Sequence, residues 1–386
     1  MSLPSLPKFA EELRNKPIDS FISRLLEMPP ESNVSKIIGM LKEGGAYEAF
    51  LPEGSRCGII SARDVLKTAN VEATKPSALM SYAPVLSREA SVGLAARLMA
   101  DYRIRAVPVT DGRRIVGQIN SVSLLQELRG KIDRDLRISS ITTKNPITVE
   151  AGASVAKAKD IMARKRIDHL PVMSNGHVTG IITSIDIVSR IPPQERVGSR
   201  SMKPEIRRSF DFAVRDAMDP TPLTCAPEIE AKQALDKMLD GGKTYILVTQ
   251  WDELQGIATY RDFMTLLAEP EPEPEVPMFM VGLPEDPFEA EATKTKFKRT
   301  INQLHRSFPD ILEARSVVKA KFSRPGKERG RYEVTVHIRT SKDTYTYSEG
   351  GWELPAIYDA ITDRLKRLLT QKQKRRKRER ERTEYI

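Results

Sequence analysis

Four times along the chain a short apolar run ends in glycine, two further residues and a hydroxyl or amide residue; in three of the four an aspartate stands three positions later. The first is Gly58-Ile-Ile-Ser61-Ala-Arg-Asp64, the third Gly180-Ile-Ile-Thr183-Ser-Ile-Asp186 and the fourth Gly256-Ile-Ala-Thr259-Tyr-Arg-Asp262. The second, Gly117-Gln-Ile-Asn120-Ser-Val-Ser123, carries serine in place of the acid. A carboxylate set where a strand runs into a helix can accept hydrogen bonds from both hydroxyls of a ribose. The hydroxyl and the helix N-terminus beside it suit phosphate oxygens. The same aspartate equally suits a plain helix N-cap, and the residues alone do not separate the two uses.

Other chemistry is thinly represented. His169 precedes a strand at a polar position of the repeating unit, and His177, His305 and His337 have no acidic or cysteine neighbours at metal-ligand spacing. No Walker-type phosphate loop, catalytic triad or paired-carboxylate arrangement is visible, so neither a metal site nor an enzyme is expected. Cys57 and Cys225 are too few for a disulfide framework or a four-ligand zinc site and suit a reducing compartment. The N-terminus lacks a signal-like apolar core, and no apolar run approaches the roughly 20 residues of a membrane span. A soluble cytoplasmic protein without membrane contact is expected.

The elements that must hold these residues repeat with them. Successive motif glycines are 59, 63 and 76 residues apart. Each unit has a proline-marked turn and short extended run, a helix, two strands and a closing helix beside the acid. Asn175-Gly176 marks one strand-to-strand turn. This β-α-β-β-α order, with Arg103-Ile-Arg-Ala-Val-Pro-Val109 echoing Arg166-Ile-Asp-His-Leu-Pro-Val172, resembles the CBS domain. Repeats 1 and 4 carry Gly44-Gly45 and Gly241-Gly242 where repeats 2 and 3 have Arg-Ile. Four copies over residues of about 18 to 268 imply two tandem pairs, 1–131 and 132–268. The resemblance implies nucleotide-binding positions at Ser61 and Asp64, at Gly180, Thr183 and Asp186, and at Gly256, Thr259 and Asp262. The second pair is favoured, because repeat 2 lacks its acid. AMP, ADP or ATP is the expected regulatory ligand, with no cofactor required.

A different grammar follows. Residues 269–277 alternate Pro and Glu, which favours a stiff polyproline tether. Residues 278–386 hold 25 basic against 16 acidic residues, or +9 of the chain's total of +10, and eleven of those cations lie between Arg364 and Arg382. Periodicity predicts a strand at Met278 to Gly282 and a helix over Asp286 to Ser307. Strands follow over Arg315 to Phe322, Arg331 to Arg339 and Asp343 to Ser348, and a long helix begins near Glu353. The expected fold class is therefore α/β and α+β: two CBS pairs, then a small β-α-β-β-β-α domain (278–370) with a basic helical tail (371–386). That order, with Tyr332-Glu-Val-Thr-Val-His-Ile338 and the helix Tyr358-Asp359-Ala-Ile361-Thr-Asp363-Arg-Leu365 ending in Lys and Arg, resembles the ribosome hibernation-promoting (ribosome-associated inhibitor) family.

The second resemblance implies a ribosome-associated factor whose partner is the small ribosomal subunit and its rRNA, and which inhibits translation at the decoding region where mRNA and tRNA bind. Expected RNA contacts are Lys294, Lys298, Lys319, Lys321, Arg324, Lys366 and Arg367, with Lys372, Lys374, Arg375, Arg376, Lys377, Arg378 and Arg380 of the tail. The CBS repeats would then sense adenine nucleotides, touch the large subunit, or form a homodimer. The alternative is a nucleotide-sensing CBS regulatory subunit of a kinase or another enzyme.

Overall fold

The computed structural model describes residues 7–68, 71, 73–190, 210–270, 276–321, 331–341 and 343–383, the last thirteen of these as backbone only. The chain divides into two compact units, 1–270 and 271–386.

In the first unit, helix α1 (Glu11–Asn15) precedes repeat 1, which comprises α2 (Val34–Glu43), strands β1 (Glu48–Glu53) and β2 (Arg56–Ser61), and α3 (Ala62–Val65). Strands β3 (Ser81–Tyr82) and β4 (Leu86–Ser87) lead into repeat 2, built of α4 (Val92–Tyr102), β5 (Ala106–Asp111), β6 (Arg114–Asn120) and α5 (Ser121–Arg129). After α6 (Ile138–Ile141), strands β7 (Thr143–Lys144) and β8 (Val149–Glu150) open repeat 3, with α7 (Val155–Lys165), β9 (His169–Ser174), β10 (His177–Thr183) and α8 (Ser184–Ser189). Repeat 4 is β11 (Thr224–Cys225), α9 (Ala231–Asp240), β12 (Tyr245–Gln250), β13 (Glu253–Thr259) and α10 (Tyr260–Leu267). Local chemistry explains the boundaries. Asn33, Ser91 and Ser154 cap α2, α4 and α7 through their side chains, satisfying N–H groups that a first turn leaves open.

The segment leading into each repeat lies on a neighbour's sheet. β3 pairs with β2 through Gly58 and Tyr82, while Ser23 of the first lead-in bridges Gln118 of β6. β7 pairs with β13 through Gly256 and Lys144, and Asp219 bridges Ile181 of β10. Repeats 1 and 2 thus exchange segments, as do 3 and 4. Helices pack the other way: α3 meets α7 and α8, and α10 meets α4 and α5. Ile37, Leu41 and Val65 of repeat 1 share one buried core with Val155, Met162 and Val188 of repeat 3.

The second unit has β14 (Met278–Val281), α11 (Pro287–Ser307), β15 (Ile311–Lys321), β16 (Arg331–Thr340), β17 (Thr344–Gly351) and α12 (Leu354–Thr383). The sheet runs β14-β15-β16-β17, parallel at the first pair and antiparallel at the others. Strict alternation in β16 sends Val334, Val336 and Ile338 to one face, where Phe297, Ile301 and Leu304 of α11 and Tyr358, Ile361 and Leu365 of α12 cover them. Among the described residues of this unit, no helix packs on the opposite face.

Candidate functional site

The repeats' motif acids share one local geometry and differ in surroundings. At Asp64, Asp186 and Asp262 one carboxylate oxygen accepts from the backbone N–H and the hydroxyl of the residue three before it, closing a capping box. For Asp262 these bonds to Thr259 are both 2.7 Å. Its other oxygen accepts from the Thr143 hydroxyl on the exchanged β7, at 3.1 Å. Asp262 remains half-buried and lines a cavity of about 270 Å³. A carboxylate holds roughly four acceptor sites, which leaves it capacity for a ligand.

Asp64 has none to offer. It is 2% exposed, ion-paired to Arg166, and 3.2 Å from Lys67. Burial pushes its carboxyl pKa up, but Arg166, Lys67 and the Ser61 bonds outweigh burial and hold it below the ordinary value. Ser61 and Asp64, expected at a nucleotide site, thus sit buried with their polar groups engaged within the fold. Asp186, half-buried and capped by Thr183 at 2.9 and 2.6 Å, lies off this cavity.

Gly180 and Gly256 sit at close backbone crossings. A Cβ at Gly256 would stand 2.7 Å from the Thr143 carbonyl oxygen, and one at Gly180 2.6 Å from that of Asp219. Gly117 meets the Ser23 carbonyl at 2.5 Å in the same way. The motif glycine is the place where the exchanged segment crosses its host strand.

The cavity's other walls come from all four repeats: Arg63 from repeat 1, Arg103, Arg105 and Ser121 from repeat 2, Arg166, Asp168 and His169 from repeat 3, and Thr259, Arg261 and Asp262 from repeat 4. Ile104, Ile147, Ile257 and Met264 add apolar surface. Arg63 organises the centre. Its guanidinium donates to the carbonyls of Arg166 at 3.1 Å and Arg103 at 2.5 Å, the residues that close α7 and α4. A cation belongs at these helix C-termini, where carbonyls are exposed and the dipole is negative. Arg103 and Arg166 hold left-handed φ of 52° and 54°, where repeats 1 and 4 place Gly45 and Gly242 at 55° and 61°. Arginine tolerates this region at a cost, and in return the two side chains enter the cavity wall.

Asp168 anchors the cluster, 2.8 Å from Arg105 and 3.4 Å from Arg63. Burial drives its carboxyl pKa up, yet the two guanidiniums together pull it well below the ordinary carboxylate range. Arg105 lies 3.6 Å over the Tyr47 ring and 3.8 Å from the buried Glu48. Burial raises Glu48 to about 7, with Arg105 and Arg63 offsetting only part of that rise. His169 donates to or accepts from the Thr244 hydroxyl at 2.8 Å, and burial, reinforced by Arg105, pushes its pKa down to about 3. The imidazole is neutral at physiological pH. The charged part of the lining is mostly arginine, with Asp262 beside it as a half-buried acceptor, an arrangement suited to holding an anion that also carries hydroxyls.

The sequence profile of the CBS-domain family matches residues 77–130, 138–193 and 214–269. The chain belongs to the CBS-domain proteins. Protein MJ1404 of Methanocaldococcus jannaschii is 24% identical over 264 residues, covering 66% of this chain and 62% of that protein. YlbB of Bacillus subtilis is 34% identical over 110 residues, which are 27% of this chain and 73% of YlbB. The chain thus spans less than two thirds of MJ1404. The crystal structure of MJ1225 from M. jannaschii, a proposed archaeal homolog of g-AMPK, superposes with a TM-score of 0.59 at 16% identity, covering 66% of this chain and 100% of that one. That likeness concerns the fold of the CBS array.

In the basic unit, the described members of the expected RNA-contact set lie on three elements. Lys294 pairs with Glu291 on α11, and Lys298 lies on the same helix with a partner of its own. Lys366 and Arg367 are exposed on α12, whereas Lys319 projects from the helix-free face of the sheet. Arg324 and the side chains of Lys321, Lys372, Lys374, Arg375, Arg376, Lys377, Arg378 and Arg380 lie outside the described residues. Among the described residues no helix is long and apolar enough to cross a membrane. The residues that sequence reasoning missed are Arg63, Arg103, Arg105, Arg166 and Asp168. Arg103 and Arg166 open the repeated Arg-Ile pair, Arg105 and Asp168 stand two positions after them, and Arg63 directly precedes the first motif acid.

Proposed function

We propose that the CBS array is a regulatory sensor. An adenine nucleotide enters the central cavity with its ribose on Asp262 and Thr259 and its phosphates toward Arg105 and the neighbouring Arg103 and Arg261, and occupancy is passed to a partner without catalysis by this chain. The observation that carries the reading is the contrast between two equivalent motifs: Asp64 is sealed under Arg166, whereas Asp262 lines an arginine-walled cavity. The reading makes the protein a nucleotide-sensing regulatory component of a kinase or another enzyme. A ligand that binds only the folded state stabilises it by about 2.7 kcal/mol at a hundredfold excess over Kd. Thermal unfolding of the full chain with AMP, ADP or ATP should therefore show a raised Tm for the array with at least one of them; no shift with any of the three would count against the reading.

A second reading is favoured by the order of the basic unit, β-α-β-β-β-α with a parallel first strand pair and both helices on one face. This order is in keeping with a hibernation-type factor that occupies the small subunit's decoding region. Cosedimentation with ribosomal subunits on a low-salt sucrose gradient supports that reading; protein confined to the soluble fraction removes it.

A further inference from the structure

The helix-free face of the C-terminal sheet carries a row of flat side chains. Phe279 on β14 stands in register with Arg315 on β15, Arg315 with His337 on β16, and His337 with Thr346 on β17. Register partners share a face, and Val334, Val336 and Ile338 fill the other one. The row therefore points away from both helices. Phe279 is 53% exposed and Val281, two residues on, 47%. Strands lie about 4.8 Å apart, so the three planar groups span about 10 Å. The imidazole is oriented by a 2.9 Å hydrogen bond between Nδ1 and the Thr346 hydroxyl.

Charge on this face is unevenly matched. Arg339 pairs with Glu313 at 2.8 Å. Among the described residues Arg315 and Lys319 are exposed and make no ion pair, although Glu333 sits across from Lys319. Flat rings and a guanidinium in a row, with unpaired cations beside them, match unstacked bases on a phosphate backbone. A protein partner fits less well. Among the described residues of the face, the strongly exposed large apolar side chains are Phe279 and Val281 at the β14 edge, and the rest of it carries Arg315, Lys319 and the hydroxyls of Thr335, Thr346 and Ser348, whereas protein interface cores are depleted in charge.

We infer that this face is a platform for single-stranded nucleic acid, with bases stacked on Phe279, Arg315 and His337 and phosphates met by Arg315 and Lys319. The inference reaches beyond the nucleotide reading and is independent of the Asp262 cavity. Fluorescence anisotropy of the full chain with a labelled oligouridine of about 12 nucleotides tests it. Saturable binding is expected, weakened about tenfold or more by Phe279→Ala and retained by Phe279→Trp, a pairing that separates stacking from a folding defect. Arg315→Ala should weaken binding and flatten the slope of log affinity against log salt by about 0.7. Unchanged affinity in both alanine variants would overturn the inference and assign the binding to the basic end of α12. Absence of binding by the wild-type chain at about 50 mM salt would also overturn it and leave the face to a protein partner.

Discussion

At the scale of single residues, surroundings decide what a motif does. Ser61–Asp64 and Thr259–Asp262 have the same residue classes at the same spacing and the same capping box. The difference is supplied from far along the chain, by Arg166 in one case and by Thr143 in the other. The motif was legible in sequence; its availability was not, because availability depends on which distant arginine lies above it. Glu48 shows the same dependence. Its carboxyl is buried among Arg105, Arg63 and Asp168, and burial raises its pKa from 4.5 to about 7. A raised carboxyl contributes stability that is complete below its unfolded value and is lost as pH climbs through the folded one. Array stability should therefore decline between about pH 4.5 and pH 7 through this group, by no more than about 3 kcal/mol. Denaturant unfolding of Glu48→Gln across that window should give a flatter profile than the wild type; identical profiles would mean that Glu48 does not titrate there.

At the scale of elements, the repeating unit was the most readable feature. Asn175 and Gly176 adopt φ of 51° and 85° at the β9–β10 turn, both positive as a two-residue hairpin of this type requires. The alternation in Tyr332 to Ile338 likewise places β16 and its buried face. The exchange of lead-in segments was hidden, because a two-residue strand such as β7 has too few residues to show a period. The glycines are its sequence trace. Gly117→Ala would press a Cβ onto the Ser23 carbonyl at 2.5 Å and should destabilise the array by about 1–3 kcal/mol. Gly39→Ala, mid-way along α2 with nothing within 4 Å of the added methyl, should stabilise it by about 0.5–1 kcal/mol. Denaturation midpoints of the two variants moving in the same direction would refute the crossing role of the motif glycine.

At the scale of the whole molecule, net charge divides the chain more sharply than its total of +10 suggests. Residues 278–386 carry +9 of it, yet five arginines of the array line one cavity built from four repeats. Regional charge counting locates the first concentration and is blind to the second, since Arg63, Arg105 and Arg166 are balanced in sequence by acids that the fold sets beside or away from them. This cavity, with Asp262 on its wall, is proposed to receive an adenine nucleotide. Isothermal titration of the full chain with ATP, ADP and AMP, repeated on Asp262→Ala and Asp186→Ala, tests it most directly. Saturable binding of at least one nucleotide is predicted, weakened tenfold or more by Asp262→Ala and left within about twofold by Asp186→Ala, a tenfold loss being about 1.4 kcal/mol of binding free energy. No heat with any of the three, or an affinity that Asp262→Ala leaves unchanged, would contradict it.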